Sequence, residues 1–310
     1  MIVLSFNPQD VAEGIPSLQQ QVSLANFTSY RVGGQAEWFA LPRTVEEAAA
    51  SLQWANHESL PVTLMGAGSN LLVSDRGLSG LVICSRYLRS VSFDDATGQM
   101  TALAGESLPG LAWKAARRGW RGMEWAVGIP GTVGGAVCMN AGAHGACTAD
   151  TLLTAQVMAL TGETQALSVS DLQFAYRTSH LQSHPHLVTQ AVFQLSPGHD
   201  PAAVVADTQA ALEKRRSTQP YHLPSCGSVF RNPGEYKAGW LIEQTGLKGH
   251  QIGQAQVSTL HANFIVNLGG ATAQDILTLI QSVQTQVQAK WALSLHPEVR
   301  TMGSFEGSLA

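Results

Sequence analysis

The spacing of apolar residues along the chain predicts helices that alternate with short strands. Thr44 and Glu47 form a helix-capping pattern, and the apolar positions after them recur with the period of a helix. Ser107 can cap a second helix that ends near Arg118, with Gly119 as its stop signal. Short or alternating apolar runs predict strands at residues 61–65, 81–84, 91–93, 100–104, 155–160 and 187–195.

The last third of the chain differs in character and begins after a linker rich in Pro and Gly near residue 196. Asp200 and Pro201 predict the start of one helix, and Thr272 opens an amphipathic helix that runs to about residue 290. Short strands are predicted at residues 264–267 and 298–302. We therefore predict an α+β protein with three modules, residues 1–95, 96–196 and 197–310.

Composition excludes several classes of protein. With 310 residues, 45% of them apolar and 13% charged, the chain can bury ample core. A formal net charge of −4 argues against a nucleic-acid-binding protein. No apolar run approaches the ~20 residues that cross a membrane, and the N-terminal residues carry no export signal. We expect a cytoplasmic protein with no membrane and no nucleic-acid partner.

Two glycine-rich segments are the strongest chemical signal. One covers residues 128–145, with the pattern GIPGTVGGAV, and the other covers residues 65–73, with GAGSN. Backbone N–H groups beside glycine can point at a single anion, as a pyrophosphate requires. Either segment alone is as consistent with a packed turn as with a cofactor loop. Together they suggest a large ligand that contains a diphosphate.

Three further segments carry polar groups that are hard to explain as core. In the segment PSCGSVFRNP, Ser228 can act as a proton donor, Cys226 as a nucleophile, or both as turn formers. Arg177 follows an aromatic residue and can bind a carboxylate or phosphate through its planar fork, or else lie on the surface. Glu298 and Arg300 are two residues apart in a predicted strand and therefore lie on the same face of it. An exposed ion pair is the simpler interpretation of this pair. The four cysteines form no CxxC pair, so neither a disulfide framework nor a metal site is expected.

The ordered set GAGSN, GIPGTVGGAVCMNAG, YRTS, CGSVFRNP, HANFIVN and HPEVR resembles the UDP-N-acetylenolpyruvoylglucosamine reductases of bacterial peptidoglycan synthesis. The resemblance runs from about Asn26 to about Gly303. It implies a two-part FAD-binding module of the vanillyl-alcohol-oxidase-like type and a smaller α+β substrate-binding domain. It also implies non-covalent FAD, NADPH as reductant and a sugar-nucleotide substrate. The residues that match the FAD loops are Gly66, Ala67, Gly68, Ser69, Asn70, Leu71, Gly128, Ile129, Pro130, Gly131, Val133, Gly134, Gly135 and Ala136.

The resemblance also implies a reaction and its catalytic residues. NADPH reduces the flavin, and hydride then passes from flavin N5 to the terminal vinyl carbon of the enolpyruvyl ether. Arg177 and Glu298 match the residues that stabilise the charge building on the substrate carboxylate, where the glutamate is expected to hold a proton. Ser228 matches the residue that donates a proton to the adjacent carbon.

The expected substrate contacts are Tyr176, Arg231, Asn232 and Lys237. The chain has Trp240 where related short chains often have lysine, so Lys237, Arg215 or Arg216 is expected to bind the diphosphate instead. The span between Arg177 and Ser228 leaves room for one strand pair and one helix, which resembles the shorter type of the family, without an extra tyrosine-bearing loop.

Two alternatives remain. One is a flavin-dependent sugar or alcohol oxidase on the same cofactor scaffold, with His144 or Cys138 as a possible covalent tether. The other is a sugar-nucleotide-binding regulator without activity, against which the joint presence of Arg177, Ser228 and Glu298 argues. The protein is expected to be a monomer.

Overall fold

The computed structural model describes residues 18–306 and divides them into two compact units. The first unit contains residues 18–22, Ala36–Ala67 and Ser79–Thr208. The second unit contains Ser23–Gln35, Gly68–Leu78 and residues 209–306. The chain therefore passes between the units several times, and the division into modules at residues 95 and 196 stays a prediction.

Two sheets form the framework of the first unit. A four-stranded sheet has the strand order Leu18–Ser23, Gln35–Ala40, Leu78–Cys84, Val62–Met65, and its last two strands are parallel. A five-stranded antiparallel sheet has the order Thr164–Ser168, Leu152–Ala159, His186–Gln194, Gln99–Leu103, Val91–Asp94. A small hairpin pairs Gly142–Ala143 with Ala146–Cys147.

Smaller sheets belong to the second unit. Gln251–Ile252, Ala255–Val257 and Ile265–Asn267 form a three-stranded antiparallel sheet. Leu71–Val73 pairs in parallel with Arg300–Met302. This pairing joins the end of the first glycine-rich segment to the residues that follow Glu298.

Six α-helices lie within the described residues, and side chains cap four of them as the sequence predicts. At the start of Pro201–Thr218, the carboxylate of Asp200 accepts from the amides of Ala202 and Ala203, at 3.2 and 3.3 Å. The hydroxyls of Thr44, Ser107 and Thr272 each accept a hydrogen bond from the amide three residues later, at 3.2, 3.2 and 3.0 Å. Such caps stabilise a helix by about 1 kcal/mol. The helices are Val45–His57, Leu108–Arg117, Val133–Met139, Pro201–Thr218, Ala238–Gln244 and Ala273–Trp291.

Each unit has its own apolar core. In the first, Leu52 and Ala55 of the first helix pack with Leu81 and Ile83 of a strand. In the second, the apolar face of Ala273–Trp291 contributes buried side chains to a cluster that also holds side chains from the segment around Ser228. Each fully buried Leu or Ile stabilises the fold by about 1.5–3 kcal/mol. No helix among residues 18–306 is long and apolar enough to cross a membrane.

The predicted α+β class is confirmed, because helices are combined with mainly antiparallel sheets. The sequence did not predict the helix Val133–Met139, which lies inside the second glycine-rich segment. Glycine disfavours a helix, but here it permits close packing. A Cβ on Gly134 would lie 3.1 Å from the Cβ of Ala104, tighter than ordinary contact.

Candidate active site

In the first unit, Gly66 of the first glycine loop and Gly135 of the second lie around the hydroxyl of Thr132. A Cβ on Gly66 would lie 2.5 Å from Thr132 Oγ1, and a Cβ on Gly135 would lie 3.7 Å from the same atom. Thr132 is 3% exposed, and its Oγ1 has no hydrogen-bond partner within residues 18–306. Because a buried hydroxyl costs free energy until it is hydrogen-bonded, this cradle suits a ligand with phosphate oxygens. The residues therefore fit the predicted FAD.

Not every predicted cofactor residue offers its amide. The amides of Val133 and Gly134 already donate to the carbonyls of Glu106 and Ala104, both at 2.9 Å. These bonds fix the start of the helix Val133–Met139, which we call the loop helix, against the end of a strand. The roles of Val133 and Gly134 toward the cofactor stay a prediction.

The backbone carbonyls of the first glycine loop accept hydrogen bonds, and one position in the loop admits only glycine. The carbonyls of Gly66 and Ala67 accept from Cys84 Sγ and Arg86 Nη2, at 3.2 and 3.0 Å. Gly68 has φ +64, and a Cβ there would lie 2.1 Å from the carbonyl oxygen of Phe27. No side chain fits at residue 68 without movement of the backbone. The remaining predicted FAD positions, Ser69, Asn70, Leu71, Gly128, Ile129, Pro130, Gly131 and Ala136, stay a prediction.

Arg177 occupies a tight turn in the first unit. Ala175 and Thr178 exchange backbone hydrogen bonds of 3.1 and 3.2 Å across it. Arg177 has φ +58, a left-handed conformation that costs an L-residue about 1–2 kcal/mol. Its Nη2 donates to the carbonyl of Gly142 at 2.8 Å, and its guanidinium carbon lies 5.2 Å from the centre of the Tyr176 ring. The side chain is therefore held by the hairpin that begins at Gly142.

Ser228 and Glu298 are brought together in the second unit by backbone pairing. The amide of Glu298 donates to the carbonyl of Val229 at 2.7 Å, and the amide of Arg231 donates to the carbonyl of His296 at 2.9 Å. These bonds set the segment of Ser228 against the segment of Glu298. Arg177 belongs to the first unit.

The side chain of Asn263 holds the segment of Ser228 from its other side. Its Nδ2 donates to the carbonyl of Phe230 at 2.9 Å, and its Oδ1 accepts from the Phe230 amide at 3.0 Å. Its carbonyl accepts from the Val229 amide at 2.8 Å. Asn263 is 5% exposed. One buried residue thus makes three hydrogen bonds to the two residues that follow Ser228.

Glu298 is fixed to the first glycine loop in a similar way. Asn70 donates from Nδ2 to the carbonyl of Glu298 at 2.9 Å, and its own carbonyl accepts from the amide of Arg300 at 3.0 Å. Asn70 therefore has a visible structural role in addition to its predicted place among the cofactor residues.

A cavity of about 340 Å³ opens beside Ser228 in the second unit. Its lining includes two of the predicted substrate contacts, Asn232 and Lys237, together with Trp240 and His261. Burial lowers the pKa of His261, and its Nδ1 accepts from the Asn263 amide at 3.2 Å, so the ring is neutral at pH 7 with its proton on Nε2. The cavity thus combines a hydroxyl, amides, a cation, the carboxylate of Glu243 and a neutral imidazole.

The predicted substrate contacts differ in whether their side chains already make hydrogen bonds within the protein. Asn232 Oδ1 accepts from the amide of Ala238 at 3.0 Å, so this side chain caps the start of the helix Ala238–Gln244. Lys237 is exposed at the same helix start. Tyr176 is 57% exposed in the first unit, and the roles of Tyr176, Arg231, Asn232 and Lys237 toward substrate stay predictions.

Trp240 forms part of an aromatic row in the second unit. Its ring lies 6.4 Å from Tyr236 and 5.3 Å from Trp291, measured between centroids. It is 46% exposed at the cavity. A tryptophan here offers a flat apolar face where a lysine would offer a charge.

Cys226 is not available as a nucleophile. It is buried, and burial raises the pKa of its thiol to about 12. The thiol lies 3.7 Å from Ser29 Oγ and 3.5 Å from the carbonyl of Leu71. Because the thiolate is the reactive species, this geometry decides against the nucleophile alternative and leaves Cys226 as a core residue. Residues 18–306 contain no group of three or more His, Cys, Asp or Glu side chains placed to hold a metal ion.

Comparisons with known proteins connect these features to a family. Residues 36–168 match the profile of an FAD-binding domain, and residues 219–302 match that of the C-terminal domain of UDP-N-acetylenolpyruvoylglucosamine reductase. A reductase of that name from Nostoc sp. is 59% identical over 94% of this chain and 88% of its own length. One from Acaryochloris marina is 56% identical over 95% of this chain and 96% of its own. The chain belongs to the UDP-N-acetylenolpyruvoylglucosamine reductase family.

A solved structure supports the same assignment. The UDP-N-acetylenolpyruvylglucosamine reductase from Thermus caldophilus is similar with a TM-score of 0.78 and 34% identity, over 92% of this chain and all of that one. The resemblance that the sequence suggested is thereby confirmed, and so are the predicted fold class and FAD as cofactor. Whether the chain belongs to the shorter type of this reductase family stays a prediction.

Sequence reasoning missed two residues that organise the site of this reductase-family chain. Asn263 belongs to the quoted motif HANFIVN, but an asparagine gives no sign that its partners lie 33 residues away. Gln182 donates to the carbonyl of Arg177 at 3.0 Å, and no motif includes it. The available sequence signals were that Asn263 lies in a quoted motif and that Gln182 follows Arg177 by five residues.

Proposed function

We propose that this chain catalyses the reaction named by its family: reduction of the enolpyruvyl ether of UDP-N-acetylglucosamine to the lactyl ether, giving UDP-N-acetylmuramate for peptidoglycan synthesis. The observation that carries the proposal is in the second unit. There Ser228 lines a cavity with Asn232 and Lys237 and pairs, through its segment, with Glu298. Family membership supplies the reaction, and this arrangement supplies groups that the reaction needs.

The cofactor and the protein have separate tasks. FAD, once reduced by NADPH, supplies the hydride that is added to the terminal vinyl carbon. Addition there leaves negative charge on the neighbouring carbon and its carboxylate. We propose that Arg177 and a protonated Glu298 stabilise that charge as it develops, because preorganised donors are most effective where charge appears in the transition state.

Ser228 then completes the reduction. The hydroxyl donates its proton to the carbon next to the carboxylate, and a solvent proton restores the hydroxyl. One hydride and one proton together add two hydrogens to the carbon–carbon double bond, which balances the oxidation of NADPH to NADP⁺. A positioned acid of this kind typically contributes about 10²–10⁴-fold to the rate.

The diphosphate of the substrate requires cations or hydrogen-bond donors. We propose that Lys237 and Asn232 at the cavity rim, with Arg231 and Tyr176, bind the sugar nucleotide. We also propose the shorter type of the family, because residues 178–227 form one longer strand, His186–Gln194, one helix, Pro201–Thr218, and one short 3₁₀ turn. A cytoplasmic monomer is part of the same proposal.

One assay tests this function. Purified protein loaded with FAD should oxidise NADPH when UDP-N-acetylenolpyruvoylglucosamine is added, and the product should be heavier by two hydrogens. UDP-N-acetylglucosamine, which lacks the double bond, is the control and should give no turnover. NADPH oxidation that is equal with both sugars would contradict the proposal, and no turnover with either would favour the regulator.

The oxidase alternative has its own test. Acid precipitation should release all yellow colour into the supernatant, because the proposal needs no covalent tether. Colour retained on the protein, and lost in a His144 or Cys138 variant, would support the oxidase.

A further inference from the structure

The turn that carries Arg177 is attached to the C-terminal end of the loop helix by one side-chain amide. Gln182 Nε2 donates to the carbonyl of Arg177 at 3.0 Å and to the carbonyl of Cys138 at 3.1 Å. The same nitrogen lies 3.5 Å from Met139 Sδ. All three neighbours are acceptors, so the site calls for a hydrogen-bond donor at this point.

The flanks of the turn are attached separately. Asn140 Nδ2 donates to the carbonyl of Ala175 at 3.1 Å, and Ser179 Oγ donates to the carbonyl of Cys138 at 2.7 Å. Asn140 and Ser179 are both buried. These bonds locate the ends of the turn, whereas the bond from Gln182 reaches the backbone of Arg177 itself.

The backbone of Arg177 decides where its guanidinium lies. At φ +58 the Cα–Cβ bond points in a direction that a right-handed conformation would not reproduce, and the guanidinium reaches the Gly142 carbonyl at 2.8 Å from there. A hydrogen bond to the Arg177 carbonyl opposes rotation of the following peptide. Because the left-handed state is intrinsically unfavourable for arginine, it depends on such bonds.

We propose that Gln182 is a positioning residue for the reaction: its amide holds Arg177 in the left-handed turn that places the guanidinium for the substrate carboxylate. The inference rests on the proposed role of Arg177. Gln182 does not touch the reacting atoms. It acts by keeping the orientation of Arg177 constant relative to the loop helix, which lies inside the second glycine-rich segment.

The first test removes the donor and keeps the shape. Gln182→Met has similar length and no N–H, so the reoxidation of reduced flavin by the enolpyruvyl sugar nucleotide should slow by about 10–100-fold, as small misplacements of a catalytic group do. Reduction of the flavin by NADPH, which does not involve the substrate carboxylate, should stay near the wild-type rate. Equal slowing of both half-reactions would overturn the proposal.

A matched control exists in the same unit. Gln194 Nε2 also donates to three acceptors, the carbonyls of Thr97, Gly98 and Leu195, at 2.9, 3.3 and 3.2 Å. Gln194→Met should lower the thermal midpoint by about as much as Gln182→Met and leave both half-reactions unchanged. If Gln194→Met slows reoxidation equally, the effect at residue 182 is general destabilisation and the proposal fails.

Two further substitutions of Gln182 test whether its hydrogen-bond donation or its packing supports the reaction. Gln182→Lys places an ammonium, with three donors and no acceptor, among the same acceptors, and should recover most of the rate that Gln182→Met loses. Gln182→Glu keeps the shape of glutamine but puts a carboxylate opposite three acceptors, and should be at least as slow as Gln182→Met. A lysine variant as slow as the methionine variant would show that donation is not what matters.

The decisive experiment is a double-mutant cycle on the reoxidation rate. If Gln182 acts through Arg177, then Gln182→Met should cause little further slowing in an Arg177→Ala background, because coupled residues are not additive. Additive effects would overturn the positioning role. If Arg177→Ala alone leaves reoxidation intact, the proposed function of Arg177 fails instead, so the two failures are distinguishable.

Discussion

Arg177 and Ser228 both lie in short segments outside the main sheets, but different hydrogen bonds hold the two segments. The Arg177 turn in the first unit is held by side-chain amides: Gln182 donates to the carbonyl of Arg177, and Asn140 donates to the carbonyl of Ala175. The Ser228 segment in the second unit is paired through its backbone, with Glu298 on one side and with Asn263 on the other. Its next two residues, Val229 and Phe230, are buried in the core.

The difference affects what a substitution does. In the first unit the supporting amide of Gln182 is partly exposed, so it can be changed without opening the core. In the second unit Asn263 is buried and satisfies both polar groups of the Phe230 backbone. We therefore expect substitutions around Arg177 to change reaction rates more than stability. Substitutions of the residues around Ser228, but not of Ser228 itself, should change stability more than reaction rates.

The largest rate effect is expected at Ser228. Ser228→Ala removes the proposed proton donor and should lower kcat by about 10²–10⁴-fold. The thermal midpoint should stay close to that of the wild type, because no backbone bond of the segment involves the hydroxyl. Steady-state kinetics and a thermal melt measure both quantities. A loss of rate matched by a large drop in the thermal midpoint would mean that Ser228 supports the fold.

The largest stability effect is expected at Asn263. Asn263→Ala leaves the buried amide and carbonyl of Phe230 without their side-chain partner, and each such group costs about 1–3 kcal/mol. The free energy of unfolding in urea should fall by about 2–4 kcal/mol, more than for Gln182→Met. A similar or smaller fall than in Gln182→Met would erase the contrast between the two segments.

A smaller rate effect distinguishes the two forms of Glu298. Glu298→Gln keeps a hydrogen-bond donor where a protonated carboxyl is proposed, whereas Glu298→Ala removes it. The glutamine variant should therefore retain about tenfold more activity than the alanine variant, as one charge-assisted hydrogen bond is worth roughly 1.5–3 kcal/mol. Equal kcat values for the two variants would argue against a protonated Glu298.

The smallest effect on rate is expected at Cys226, where a substitution should instead change how stability depends on pH. Burial raises the pKa of this thiol from 9.0 to about 12, so the unfolded chain loses this proton first as pH rises. The contribution of the thiol to stability is complete below about pH 9 and is lost as pH rises through about 12. Cys226→Ala should keep near-wild-type kcat and lose less stability than the wild type between those pH values. An equal loss in both proteins would contradict the assigned burial.

Several features of the fold and of the site follow from the sequence alone. The caps at Thr44, Ser107 and Thr272 were predicted because each depends on residues three positions apart. The two glycine loops were predicted to serve one ligand, and the structure places Gly66 and Gly135 around the same hydroxyl. Local patterns and ordered motifs were sufficient for these features.

Other features of the fold and of the site depend on contacts between residues distant in sequence, which no local sequence pattern predicts. The loop helix forms in a glycine-rich stretch because Gly134 packs directly on Ala104, which tertiary structure alone reveals. The left-handed backbone of Arg177 occupies a position that normally favours glycine. Asn263 pairs with a segment 33 residues earlier in the chain. In each case the determining partner is distant in sequence.

The most direct test of the central claim measures both half-reactions by stopped-flow spectroscopy for the wild type, Arg177→Ala and Ser228→Ala. The account predicts that NADPH reduces the flavin in both variants at nearly the wild-type rate, whereas reoxidation by UDP-N-acetylenolpyruvoylglucosamine slows by about 10²-fold or more. Equal slowing of the two half-reactions, or normal reoxidation in either variant, would contradict the assignment of Arg177 and Ser228 to the substrate.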